Sequence, residues 1–351
     1  MQLKKDFLIL LIGRLGQAGL ALASIRILTT YLPKDQVGLT YLVATIVSYF
    51  ALVFINPIGM YLNRHLHQWF FEGRLLAVFR RLNRYFLLVA VLALPLVVLA
   101  RVVFSVGEGL PGVGLCVLVF LNLWVSTWFQ TLAPSLNLLE KRSVFVLINL
   151  LTQALGLLFS VLLIWIVGAD AFVWLIGILL SQAFGALVAF LYFRHLISAK
   201  PIHPPIGEEG NLSREEWVAL PAGKNNIRWG DLFTGELLRF CWPIALTTAF
   251  MWSQNSAYRI MVERSFGVTN LAGLGVGLGV AASVASIVES LVSQYFHPKF
   301  YAEIAKGDKR DRLVAWETFY VNALSVFMPC MFYVFCLSKS ILRILVHADY
   351  S

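Results

Sequence analysis

The sequence predicts an all-α polytopic membrane protein, on three observations. Hydrophobic residues make up 59% of the 351-residue chain. Charged residues make up 13%, where a soluble protein carries about a quarter. Apolar runs of about 20 residues, the length that crosses a bilayer as a helix, recur along the chain. A transmembrane β-barrel would instead show alternating strands of about 10 residues.

Nine runs qualify as spans: residues 7–32, 37–62, 85–104, 112–139, 143–167, 171–193, 237–260, 268–296 and 313–337. The first carries Arg14 and Arg26 inside its apolar run, with Gln17 between them. The second contains Asn56-Pro57, and a proline there kinks a helix because it has no N–H to donate. The third holds Pro95. The fourth carries Gln130, Pro134 and Asn137, the fifth Asn149 and Gln153, and the sixth Gln182. Residues 195–235 are rich in proline, glycine and charge. They read as a polar linker between a six-helix N-terminal part, residues 1–194, and a three-helix remainder, residues 236–351. The eighth span has Gly273, Gly275, Gly277 and Gly279, two overlapping pairs at four-residue spacing. Such pairs let backbones approach closely, and a hinge is the alternative.

The net charge of +9 is assigned to loops on one side of a membrane, not to nucleic acid. Lys4, Lys5, Arg64, Arg74, Arg80, Arg81, Arg84, Lys141 and Arg142 then share the inner side, with the N-terminus. Within residues 63–84, Phe70, Phe71, Leu75, Leu76, Phe79 and Leu82 interleave with arginines at near-helical spacing. That pattern predicts an amphipathic helix lying on an anionic leaflet, in contact with membrane lipids. The N-terminus also has signal-peptide features, which Arg14 interrupts. Cys116, Cys241, Cys330 and Cys336 have no metal or redox spacing and read as buried apolar residues.

An internal repeat connects the two parts. Arg26-Ile27-Leu28 leads through a short loop to Gly38-Leu39, and Arg259-Ile260-Met261 leads through Phe266-Gly267 to Gly273-Leu274. Placement at corresponding helices suggests parallel repeats about an axis along the membrane normal. Residues 26–39, RILTTYLPKDQVGL, resemble the first-loop signature of the polysaccharide biosynthesis and export proteins. These include O-antigen flippases of the multidrug/oligosaccharidyl-lipid/polysaccharide export superfamily. Leu238-Arg239-Phe240-Cys241-Trp242-Pro243-Ile244 resembles the start of that family's second half, and His297-Pro298-Lys299-Phe300 falls where its eighth helix ends. Tyr258 stands where the family frequently carries Asp.

The resemblance implies two helical lobes around a central cavity. It implies about nine spans present of an expected twelve or more, hence a C-terminally truncated chain. It implies a multi-pass protein of the bacterial inner membrane that moves a polyprenyl-pyrophosphate-linked oligosaccharide for surface polysaccharide assembly. Its partners would be the lipid-linked oligosaccharide, membrane lipids, and polysaccharide polymerase and chain-length proteins. A cation-coupled multidrug exporter of the same superfamily and a non-functional fragment are the alternatives.

Phosphate crossing a low-dielectric layer needs compensation, and arginine supplies it with a permanently charged, bidentate fork. Arg14 lies roughly 10 Å above the inner end of its helix at about 1.5 Å per residue, with Gln17 on its face. It faces a cavity or snorkels toward headgroups. Arg26 is rotated from it by about 120°. It either contacts substrate or bonds a neighbouring helix at the outer end. Arg259 follows Gln254 and Asn255, so Asn255 and Arg259 form a second candidate patch. Gln130, Asn137, Asn149, Gln153 and Gln182 bond either sugars or neighbouring helices. Glu289 and Glu317 are the coupling candidates, with interfacial pairing as the alternative. No nucleophile–base spacing, metal-ligand cluster or phosphate loop occurs, so the reading is of a non-enzyme without a cofactor.

Overall fold

A computed structural model describes residues 2–71, 73–105, 107, 109–139, 141–198, 235–306 and 309–347. All regular structure among them is helical: α1 (Gln2–Tyr31), α2 (Lys34–Phe50), α3 (Asn56–Phe71), α4 (Leu75–Phe104), α5 (Gly112–Leu121), α6 (Thr127–Leu138), α7 (Arg142–Val167) and α8 (Ala171–Ser198). After residue 234 come α9 (Gly235–Asn255), α10 (Ala257–Phe266), α11 (Val268–Lys306), α12 (Lys309–Cys336) and α13 (Ser338–Leu345). The chain is an all-α polytopic membrane protein. Most of the expected linker, residues 199–234, lies outside the described residues.

Eight described helices are long and apolar enough to cross a membrane, not nine. The exception is α9. Glu236 and Arg239 near its start and Gln254 and Asn255 at its end shorten its apolar stretch. The expected span 237–260 is also broken. Its chain turns at Ser256, whose N–H donates to Trp252 O at 2.8 Å, and restarts as α10.

Two spans contain π-helical turns, Ala51–Ile55 between α2 and α3 and Asn122–Ser126 between α5 and α6. The first has a visible cause. In that register the N–H of residue 57 would reach Leu52 O, and Pro57 has none. Thr248 Oγ1 on α9 donates to Leu52 O instead, at 2.8 Å. Tyr85 OH on α4 donates to Phe54 O, also at 2.8 Å. Carbonyls beside the proline are therefore satisfied by neighbouring helices, as an apolar surrounding requires.

The amphipathic stretch 63–84 is not a separate surface helix. It is the end of α3 and the start of α4, joined by a tight turn at Gly73 (φ +67°). Leu66, Leu75, Phe79 and Leu82 of this stretch face protein. Leu75 and Phe79 are fully buried, and Phe79 packs edge-on against Trp128 and Phe193 at 6.1 and 5.3 Å. The helical period was right, but its apolar face meets α6 and α8 and not lipid.

The six-span core formed by α1–α8 is closed by small-residue and glycine contacts. Ser160 Oγ on α7 donates to Trp174 O on α8 at 2.9 Å in a buried position. The later helices attach through α1 and α2, which meet α11, and through α3 and the π-helical turn before it, which meet α9. A Cβ on Gly38 would run into Val268 O at the start of α11. A Cβ on Gly275 would stand 2.5 Å from the Tyr41 ring, and one on Gly279 would stand 3.2 Å from its hydroxyl. One of the two expected glycine pairs, Gly275 and Gly279, thus forms a slot for Tyr41. Gly273 and Gly277 face nothing within 4 Å among the described residues.

Candidate functional site: a polar cavity between α1, α7 and α11

Helix α1 packs on both α7 and α11, while α2 packs on α11 and α6 and α8 pack on α7. Small residues at their facing positions leave space instead of filling it. A cavity of about 490 Å³ results. Its polar lining is Ser24 from α1, Tyr41 from α2, Gln130 from α6, Asn149, Thr152 and Gln153 from α7, Ser181 and Gln182 from α8, and Ser283 from α11. Leu20, Ile25, Phe129, Leu157 and Ile178 supply apolar wall. A chamber of about 190 Å³ adjoins it toward the N-terminal end of α1, lined by Arg14, Gln17, Gln153 and Ser286. Ala21 and Gln153 belong to both spaces, so Gln153 stands at their junction.

The structure sorts the candidate amides by what their bonds leave over. Asn149 Nδ2 donates to Phe145 O one turn back at 2.8 Å. Gln182 Oε1 accepts from Ser126 Oγ, which also reaches Asn122 Oδ1 at 3.0 Å in the second π-helical turn. These two carboxamides are partly committed to the fold. Gln130 and Gln153 line the cavity, are exposed, and make no hydrogen bond to other described residues. Asn137 does not line the cavity.

Arg14 and Gln17 are brought together as their spacing implied. Arg14 Nη1 donates to Gln17 Oε1 at a long 3.4 Å, and the guanidinium is otherwise open to the chamber. The other candidates lie elsewhere. Arg26 Nη1 donates to Val346 O, just beyond α13. Thr29 Oγ1 accepts from His347 N at 3.3 Å beside it. Arg259 rests on its own neighbour, 5.9 Å from the Tyr258 ring centroid, with Nε 3.4 Å from the Tyr258 hydroxyl. Asn255 is exposed at the α9–α10 break. Glu289 and Glu317 are both exposed, and neither lines the cavity.

Sequence reasoning missed the hydroxyl lining, because Ser24, Thr152, Ser181 and Ser283 are unremarkable in apolar helices. It also missed Glu263, the one charged side chain among the buried described residues, at 8% exposure. Its Oε1 accepts from Gly107 N at 2.9 Å, joining α10 to the α4–α5 loop. Arg101 holds the same loop, donating to Gly107 O and Leu110 O at 2.9 and 2.8 Å.

No group of His, Cys, Asp or Glu that could hold a metal ion occurs among the described residues. Chemically, the cavity offers neutral donors and acceptors in an apolar frame, with one cation at its end. Comparison with protein-family models, curated proteins and solved structures finds no match.

Proposed function

We propose that this chain is a flippase of the polysaccharide-export type. It would carry a polyprenyl-pyrophosphate-linked oligosaccharide across the bacterial inner membrane, from a cytoplasmic side that also holds the N-terminus. One observation carries the reading: Arg14 stands at the end of a cavity walled by carboxamides and hydroxyls, between helices long enough to span a bilayer. A cavity of about 490 Å³ falls within the range of roughly 300–1,000 Å³ that holds drug-sized ligands. Carboxamides present a donor and an acceptor together, which suits vicinal sugar hydroxyls. Arg14 suits phosphate, because its fork binds two oxygens and stays charged in an apolar setting. The resemblance of residues 26–39 to the family signature points the same way.

The cation-coupled exporter of the same superfamily would be served by an acid within the cavity. No Asp or Glu lines it among the described residues, and Glu263 is turned to the Gly107 amide instead. The glycolipid reading is therefore preferred.

The test is complementation of a strain lacking its own flippase, with surface glycan measured at matched protein levels. Arg14→Ala is expected to abolish export and Arg14→Lys to retain part of it. Normal export by the alanine variant would remove Arg14 from the mechanism.

A further inference from the structure

We infer that the glycan this cavity accepts is uncharged. Its sugars carry hydroxyl and amide groups but no carboxylate, phosphate or amine, and the lipid's own phosphates are the only ionic part admitted. This inference rests on the flippase reading above and names the substrate class of that same site.

Charge balance in the cavity is the argument. Among the described residues, the main space is lined by carboxamides, hydroxyls and apolar groups, with no Lys, Arg, His, Asp or Glu. The adjoining chamber contributes one ion, Arg14. An ionised group moved from water into such a space loses hydration that only an opposite charge or several strong hydrogen bonds replace. A pyrophosphate placed at Arg14 uses the only cation that the described residues supply to the lining. A hexuronate or phosphorylated sugar farther along, beside Gln130, Gln153 or Thr152, would meet no second one among the described residues. An amino sugar would meet no carboxylate among the described lining residues. Neutral hydroxyls carry no such penalty.

The unpartnered amides add a positive reason. Gln130 and Gln153 keep both donor and acceptor available, on α6 and α7 respectively. Gln153 stands where the main cavity joins the Arg14 chamber. A glycolipid with its phosphate at Arg14 would place its first sugar against Gln153. A neutral ring can use both halves of that carboxamide, whereas a carboxylate can use only the N–H half and opposes the oxygen.

The full-length protein in lipid nanodiscs can be titrated with three probes. These are undecaprenyl pyrophosphate, the same lipid carrying a neutral trisaccharide of galactose and N-acetylglucosamine, and that trisaccharide with one galactose replaced by glucuronate. The neutral glycolipid is expected to bind at least about tenfold more tightly than the acidic one, a difference of about 1.4 kcal/mol. Gln153→Lys supplies the missing cation and is expected to bring the acidic probe to parity or better, a gain that a misfolded variant cannot produce. Equal binding of neutral and acidic probes by the unaltered protein overturns the inference and leaves the flippase reading standing. Failure of either glycolipid to bind more tightly than the bare lipid overturns both.

Discussion

Asn83 shows how much one side chain can hold together in this protein. Its Oδ1 accepts from two indoles, Trp124 Nε1 at 2.8 Å and Trp128 Nε1 at 2.5 Å. It braces α4 against the second π-helical turn and α6. Asn83→Leu leaves two part-buried donors without an acceptor, at about 1–3 kcal/mol for each buried group left unsatisfied. The expected result is a lower thermal midpoint in detergent than that of the unaltered protein. An unchanged midpoint would show the indoles finding other acceptors. Nothing in the sequence marked Asn83, because its partners lie more than forty positions away. The same holds for the amides. Gln130, Asn149, Gln153 and Gln182 look alike as letters, and only packing decides which bond the fold and which face the cavity. Arg14 and Gln17 were legible because their relation is local, one helical turn. Arg26 was legible only as an alternative, since its acceptor is the carbonyl of Val346 at the far end of the chain.

At the scale of elements, the proline rule and the apolar period carried most of the information. Asn56-Pro57 predicted a kink, and a π-helical turn stands immediately before it. The donor that makes the turn tolerable, Thr248, could not be foreseen, because α9 is remote in sequence. Thr248→Val should cost about 0.6 kcal/mol, the average for a hydrogen bond between membrane helices. Pro57→Ala restores a backbone N–H at that register. In a double-mutant cycle the cost of Thr248→Val should then shrink toward zero, and a constant cost in both backgrounds would separate the threonine from the turn. The stretch 63–84 had the right period and the wrong surroundings. A helical apolar stripe reads the same whether lipid or protein covers it, and Phe79, fully buried between Trp128 and Phe193, shows which it was. The break at Ser256 has no proline or glycine to announce it.

For the whole molecule, composition established the class, and the span count followed to within one helix. The polar ends of α9 account for the difference. How the later helices meet the earlier ones was largely hidden. Glu263 is the clearest instance, a buried carboxylate on α10 bonded to the backbone of the α4–α5 loop. Hydrogen bonds to charged groups contribute about 1.5–3 kcal/mol. Glu263→Ala should therefore speed hydrogen exchange at the Gly107 amide by about tenfold or more, while Glu263→Gln, which keeps an acceptor, should show a smaller effect. Equal exchange in all three proteins would mean that Arg101 alone holds the loop. The slot that Gly275 and Gly279 offer to Tyr41 has a genetic consequence. A methyl group at position 275 and the ring at position 41 compete for one volume, so Gly275→Ala should be a conditional lesion whose revertants arise at codon 41 as smaller residues. The same selection begun from Gly273→Ala should yield no such revertants, because no described residue lies within 4 Å of a methyl group there.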